Sequence, residues 1–142
     1  MQEPRFEGRI PTVEEFIALR ADAGWHLPPA DVIARGLKKT IFAICALDAS
    51  GKVIGMGRVV GDGDLQLFIT DVIVHSDWQE RGIGTEIMKL ILKRINEICS
   101  PGTMINLCAA RGKESFYERL GFGVRPNEKF GSGMISFSQK AL

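Results

Sequence analysis

The chain has 142 residues, 45% of them hydrophobic and 25% charged, which is one domain's worth of sequence and enough to bury a core without staples. A net charge of +1, with no cluster of Lys or Arg, leaves no electrostatic footprint for nucleic acid. The cysteines (Cys45, Cys99 and Cys108) sit in apolar runs, unlike zinc ligands or a disulfide framework, and neither a signal peptide nor an apolar run near the ~18 residues of a membrane span is present; the expectation is a single cytoplasmic domain over residues 1–142, with no membrane or nucleic-acid partner and no metal.

Taken in order, residues 5–10 suit a short first strand. Thr12-Val13-Glu14-Glu15, following Pro11, is a capping box that opens a helix through about Ala23, with Phe16, Ile17, Leu19 and Arg20 on one side. Gly24 stops it, and Trp25-His26-Leu27-Pro28-Pro29 must be a loop. A second helix is expected over residues 30–38, with Val32, Ile33 and Leu37 inward. Residues 41–47, 53–60 and 65–74 read as three strands joined by the turns Asp48-Ala49-Ser50-Gly51 and Gly61-Asp62-Gly63-Asp64, an antiparallel meander. Residues 84–99 hold the strongest helical period in the chain, with Ile87, Met88, Leu90, Ile91, Leu92, Ile95 and Ile98 recurring at three and four. A strand over 104–109 should then run parallel to the 65–74 strand after a right-handed crossover. A short helix over 113–120, a strand at 122–124, a loop over 125–133 and a last strand at 134–138 complete the reading. The fold class expected is mixed α/β (α+β), a mostly antiparallel sheet with a central parallel pair and helices on both faces.

The most informative stretch is Asp71-Val72-Ile73-Val74-His75-Ser76-Asp77-Trp78-Gln79-Glu80-Arg81-Gly82-Ile83-Gly84-Thr85. An apolar strand passes through a polar turn into a helix, whose first four amides lack intrahelical partners and whose dipole adds positive charge. Glycines 82 and 84 let a bulky anion approach those amides. A dinucleotide fingerprint is excluded because Ile87 stands where its third glycine belongs, and a Walker loop because no lysine follows Gly84. The second stretch, Phe116-Tyr117-Glu118-Arg119-Leu120-Gly121-Phe122, is a short amphipathic helix closed by glycine.

The Gln79-x-x-Gly82-x-Gly84 loop and the later Phe116-Tyr117-x-x-x-Gly121-Phe122 segment, in that order, resemble the GNAT superfamily of N-acetyltransferases. The likeness runs from about Ile41 to Phe137. It implies acetyl-CoA as co-substrate: Val72, Ile73 and Val74 along the pantetheine arm, a bulge splaying this strand from its parallel neighbour, the amides of Glu80, Arg81, Gly82, Ile83, Gly84 and Thr85 on the pyrophosphate, Gln79 bracing the loop, and Tyr117 beside the thioester sulfur. Many members carry an asparagine seven residues before that tyrosine; here the position is Ala110, and Asn106 lies four residues earlier.

The chemistry expected is direct attack of a neutral amine on the acetyl carbonyl in a ternary complex. The amide of Val74 is the candidate donor to the carbonyl oxygen, and Tyr117 the acid for the departing thiolate. Asp71 is the candidate base nearest this segment, with a structural role as its rival reading, and His75 reads as a solvated strand end. Trp25, His26 and Phe130 are candidate acceptor-side walls, Trp25 equally a lid on the core. The acceptor expected is a small primary amine; a protein N-terminus or lysine, or a CoA-binding sensor without catalysis, are the alternatives. Edge strands near residues 134–138 suit a homodimer.

Overall fold

A computed structural model of the chain describes residues 3–138. They form two compact units that divide between Leu107 and Cys108.

The first unit is built on a five-stranded sheet of order β1-β2-β3-β4-β5. Its elements are β1 (Arg5–Glu7), α1 (Val13–Ala23), α2 (Ala30–Leu37), β2 (Phe42–Leu47), β3 (Val53–Gly61), β4 (Gln66–Val74), a 3-10 turn (Ser76–Trp78), α3 (Ile83–Ile98) and β5 (Met104–Leu107). Neighbours from β1 to β4 pair antiparallel, and β4 pairs parallel with β5, from Gln66 opposite Met104 to Ile69 opposite Leu107. The parallel pair therefore closes the strand order at one edge, where a central position was expected.

Helix α1 begins where the capping box places it. Thr12 Oγ1 accepts from the Glu15 amide at 3.2 Å, and Glu15 Oε1 accepts from the Thr12 amide at 2.8 Å. Arg9 clamps the same carboxylate with bonds of 2.8 and 2.9 Å. At the other end Gly24 takes the left-handed conformation at φ 73°, which glycine adopts without a Cβ penalty. Phe16 and Leu19 bury against Ile33 and Leu37 of α2 and against Cys45, Val53, Met56 and Ile73 of the sheet. Val32, expected to face inward, is 42% exposed: a helix of eight residues has room for one narrow buried stripe, and Ile33 and Leu37 occupy it.

Successive residues of a strand point to opposite faces, and β3 uses both. Met56 joins the cluster under α1 and α2. A Cβ on its neighbour Gly57 would lie 2.7 Å from Ile91 Cδ1 and 3.0 Å from Ile87 Cγ2 of α3. Helices thus cover both faces, and the missing side chain at 57 lets α3 approach closely. The two hairpin turns are held by carboxylates: Asp48 Oδ1 accepts from Ser50 and Lys52, and Asp62 Oδ1 from the amides of Asp64, Leu65 and Gln66.

In the second unit, α4 (Glu114–Glu118) ends in a turn with Gly121 at φ 98° and the Phe122 amide bonded to the Tyr117 carbonyl at 3.2 Å. The loop after it is organised by Asn127, whose Oδ1 accepts from the amides of Lys129 and Phe130 at 2.9 Å. The strands expected at 122–124 and 134–138 do not form among the described residues. Met134, Ile135 and Phe137 are 96%, 81% and 74% exposed; apolar residues make a strand only where a partner edge satisfies the backbone.

The capping box gives a pH-dependent contribution to stability. The Arg9 hydrogen bond, with help from Thr12, holds the Glu15 carboxyl down to about 2 against an ordinary 4.5. A depressed carboxyl stabilises the fold above the unfolded value and loses that contribution as pH falls through the folded one. Glu15→Gln keeps the capping box but loses the charged pair with Arg9, and is therefore expected to cost about 1 kcal/mol at pH 7, read as a lower midpoint in thermal melts, with the gap from wild type narrowing as pH drops from 4.5 toward 2.

Candidate active site

The site starts from an irregularity in β4. Arg58 stands opposite Thr70, but Met56 stands opposite Ile73, so Asp71 and Val72 together face Gly57 and form a β-bulge. Asp71 sits at φ 54°, a left-handed conformation that costs a residue with a Cβ about 1–2 kcal/mol. Its surroundings hold it there. Arg20 Nη1 of α1 reaches Oδ1 at 2.9 Å, and Arg58 Nε of β3 reaches Oδ2 at 3.0 Å. Arg58 Nη1 also donates to Thr40 Oγ1 at 2.6 Å. The Asp71 side chain is only 5% exposed, and each oxygen has a guanidinium of its own.

Beyond the bulge, the amide of His75 donates to the Ile54 carbonyl at 2.8 Å. Antiparallel ladders alternate bonded and non-bonded pairs, so with Gly55 opposite Val74 and Met56 opposite Ile73, Ile73 spends its peptide groups on β3. Val74 turns its own away from β3. On that side β5 has already ended at Leu107, opposite Ile69, so within this unit the last residues of β4 have no strand paired on that edge. Val74 O takes a bond from Gln79 Nε2 at 3.1 Å, which draws the following loop back over the strand end.

That loop has two left-handed residues, Glu80 at φ 62° and Gly82 at φ 79°. Gly82 is the N-cap of α3 and brings no side-chain cap, so the first intrahelical bond runs from Glu86 N to Gly82 O at 3.0 Å. The amides of Ile83, Gly84 and Thr85 thus have no acceptor within the helix. A Cβ at Gly82 would meet nothing within 4 Å, so backbone conformation is what calls for glycine there, and the space at Gly82 itself is open. A 16-residue helix directs the positive end of its dipole into that space. Arg81 stacks at 5.0 Å over the Trp78 ring. The arrangement suits a phosphate-bearing ligand.

His75 differs from its expected solvated state. Its side chain is 21% exposed, with Nε2 3.4 Å from Asp22 Oδ1 and Nδ1 accepting from the Asp77 amide at 3.1 Å. Nδ1 is thus taken by a hydrogen bond, and Nε2 faces the Asp22 carboxylate. Trp25 packs against the core cluster and lies 5.7 Å from the Arg20 guanidinium, the lid role that was its rival reading, while His26 is exposed. Asn106 Nδ2 is committed to Gln66 Oε1 at 2.8 Å and Leu67 O at 3.2 Å. Arg20, Arg58, Thr40 and Asp22 are the residues sequence reasoning did not assign to the site. Arg58 carried a signal, being a charge inside an apolar strand.

In the second unit, Tyr117 lies edge-on to Phe116 (centroids 4.9 Å apart) and to Phe122 (6.3 Å). Burial of the phenol raises its pKa above the ordinary 10. Phe130 lies between Arg125 and Lys129, 5.2 and 5.6 Å from its ring centre. Ala110 contributes only its carbonyl, to the Lys113 amide at 2.9 Å. Cys108, expected as a buried strand residue, lies past the end of β5 and is exposed.

Residues 38–124, more than half of the chain, match the family described as acetyltransferase (GNAT) domain. The chain belongs to the GNAT acetyltransferase family. It is similar to the uncharacterized N-acetyltransferase ycf52 of Porphyra purpurea, 29% identical over 116 residues that make up 80% of this chain and 66% of that protein; it spans just under two thirds of that relative. Among solved structures it is similar to a probable acetyltransferase from meticillin-resistant Staphylococcus aureus, with a TM-score of 0.84, 29% identity and coverage of 94% and 99% of the two chains. A GNAT family acetyltransferase from Streptococcus pneumoniae follows at TM-score 0.79 and 25% identity, with 96% and 99% covered. No helix among the described residues is long and apolar enough to cross a membrane. A groove of about 600 Å³ lined by Arg9, Ile41, Leu90, Lys93 and Glu97 lies along the later turns of α3, roughly 10 Å or more along the helix axis from its N-terminus.

The ion cluster at the bulge makes a direct prediction. Asp71→Asn leaves two largely buried guanidiniums facing a neutral amide, and is expected to cost ~3 kcal/mol in urea unfolding monitored by tryptophan fluorescence. A loss below about 1 kcal/mol would match a solvent-screened pair and contradict the burial described.

Proposed function

We propose that this GNAT protein transfers the acetyl group of acetyl-CoA to a primary amine of a small molecule, by direct attack within a ternary complex. The observation that carries the reading is the uncapped N-terminus of α3, with open space at Gly82, following directly on the outward peptide groups of Val74. In this assignment the amides of Glu80 through Thr85 hold the pyrophosphate. Val72 and Val74 receive the pantetheine arm along the open edge of β4, and Ile73 supports them by bonding to β3. Acetyl-CoA supplies the activated thioester. Gln79 keeps the loop against Val74 O.

For the chain's own residues, the Val74 N–H is the donor to the acetyl carbonyl oxygen, whose charge grows as the amine attacks. Tyr117 provides the proton, or a strong hydrogen bond, to the departing sulfur. Desolvation keeps its phenol protonated at neutral pH, which is the form an acid needs. Asp71 is assigned to structure rather than to base catalysis, because both oxygens are held by arginines. His75 has Nδ1 taken by the Asp77 amide and Nε2 turned to Asp22, and is read as structural. The proton of the attacking amine is therefore assigned to water. Trp25 is read as a wall shared by the core and the acceptor side, with exposed His26 beside it and Phe130 from the C-terminal loop.

One observation favours a second reading, a CoA-binding protein without turnover: Ala110 replaces the usual asparagine, and Asn106 is committed elsewhere. Thiol release from acetyl-CoA with a panel of small amines, peptides with free N-termini and lysine peptides separates the readings. Turnover with small amines supports the proposal, turnover with peptides alone replaces its acceptor, and CoA binding without turnover supports the sensor. Where turnover is found, Tyr117→Phe is expected to lower kcat about 100-fold while CoA affinity changes little. The wild-type rate should hold until pH rises through the phenol's raised pKa, above about 10, and that alkaline limb should vanish in the variant. Equal kcat would remove the acid role from Tyr117.

A further inference from the structure

Near its C-terminus, α1 carries two opposite charges: Arg20, which reaches β4, and Asp22, which reaches the turn directly after it. Arg20 Nη1 binds Asp71 at 2.9 Å, immediately before Val72. Asp22 accepts from the Ser76 amide at 2.8 Å and from Ser76 Oγ at 2.8 Å, and lies 3.4 Å from His75 Nε2, immediately after Val74. One helix therefore grips the chain on both flanks of Val72, Ile73 and Val74. The helix itself is anchored, because Phe16 and Leu19 are buried in the core.

Arg20 is placed for this contact at some cost to itself. Its Nε is the one buried side-chain nitrogen or oxygen without a hydrogen-bond partner among the described residues. The guanidinium is instead held between aromatic rings, 5.2 Å from the centre of Phe16 and 5.7 Å from that of Trp25, which restricts its direction. The Trp25 amide also donates to the Arg20 carbonyl at 2.9 Å. The loop that follows α1 is thus tied to the residue that holds the bulge.

We infer that α1 is a positioning brace, in which Arg20 and Asp22 fix the bulge and the tripeptide after it, so that the outward peptide groups of Val74 keep a constant place relative to the uncapped end of α3. The functional part of this inference rests on the coenzyme assignment above; the mechanical part does not. Arg20 and Asp22 are positioning residues: Arg20 acts through Asp71 of β4, and Asp22 through His75 and Ser76 just past its end. Because the 25–29 loop continues from the same helix, an acceptor pressing on that loop would act on the coenzyme strand through Arg20.

Amide hydrogen exchange tests the brace without reference to CoA. The peptide covering residues 71–76 is followed by mass spectrometry in wild type, Arg20→Met, Asp22→Ala and Arg20→Lys, with residues 42–60 as internal control. Arg20→Met leaves the Arg58–Asp71 pair in place, so the sheet is expected to persist. Exchange at 71–76 should quicken about tenfold in Arg20→Met and in Asp22→Ala with the control unchanged, as for a local opening, and Arg20→Lys should restore part of the protection. The same two variants should weaken CoA binding about tenfold in titration calorimetry, following the loosened strand. Wild-type exchange at 71–76 in both variants overturns the brace, as does faster exchange that appears equally at 42–60. If wild-type protein fails to bind CoA, the coenzyme assignment falls, while the exchange pattern still decides the brace.

Discussion

The bulge at Asp71 is the constraint on which the rest of the first unit depends. One extra residue opposite Gly57 changes which face each later residue of β4 presents: Thr70 and Asp71 turn to the same side, and Ile73 then enters the core beneath α1. A left-handed aspartate inside a strand is unfavourable on its own. Two arginines, themselves shielded from water, convert that local strain into a fixed point. Removing the bulge would return the ladder to regular pairing and point the Val74 peptide groups at β3.

Charge is distributed with the same economy. The Asp71 cluster carries two guanidiniums on one carboxylate, and the N-terminus of α3 carries partial positive charge with no side chain to cap it. Of the nearby carboxylates, Asp22 is bonded to Ser76, while Glu86 stands in the first turn of α3. The affinity of this end for an anion comes from backbone groups that cannot be titrated away.

Local signals were legible in the sequence and distant ones were not. Thr12 with Glu15, Gly24, the periodic isoleucines of α3 and the Gln79-x-x-Gly82-x-Gly84 loop each act within a few residues, and each formed the expected structure. Gly82 was expected to make room for an anion; its left-handed φ shows that backbone conformation demands glycine first. Arg20 looked like part of an apolar helix side because it does stack on aromatics, but its partner lies 51 residues away, a separation no local pattern encodes. The apolar stretch at 134–138 resembled a strand because composition is local, whereas pairing requires an edge that composition does not specify.

The central claim is that the amides at the start of α3 and the outward amide of Val74 form one cradle for the coenzyme. Backbone amide chemical shifts of isotope-labelled protein, followed as CoA is added, test it most directly. The account predicts that the largest changes fall on Gly82, Ile83, Gly84, Thr85 and Val74, with β1 and the later turns of α3 nearly still. Saturable changes confined to the groove between β2 and the later turns of α3, with Gly82 to Thr85 unmoved, would contradict it.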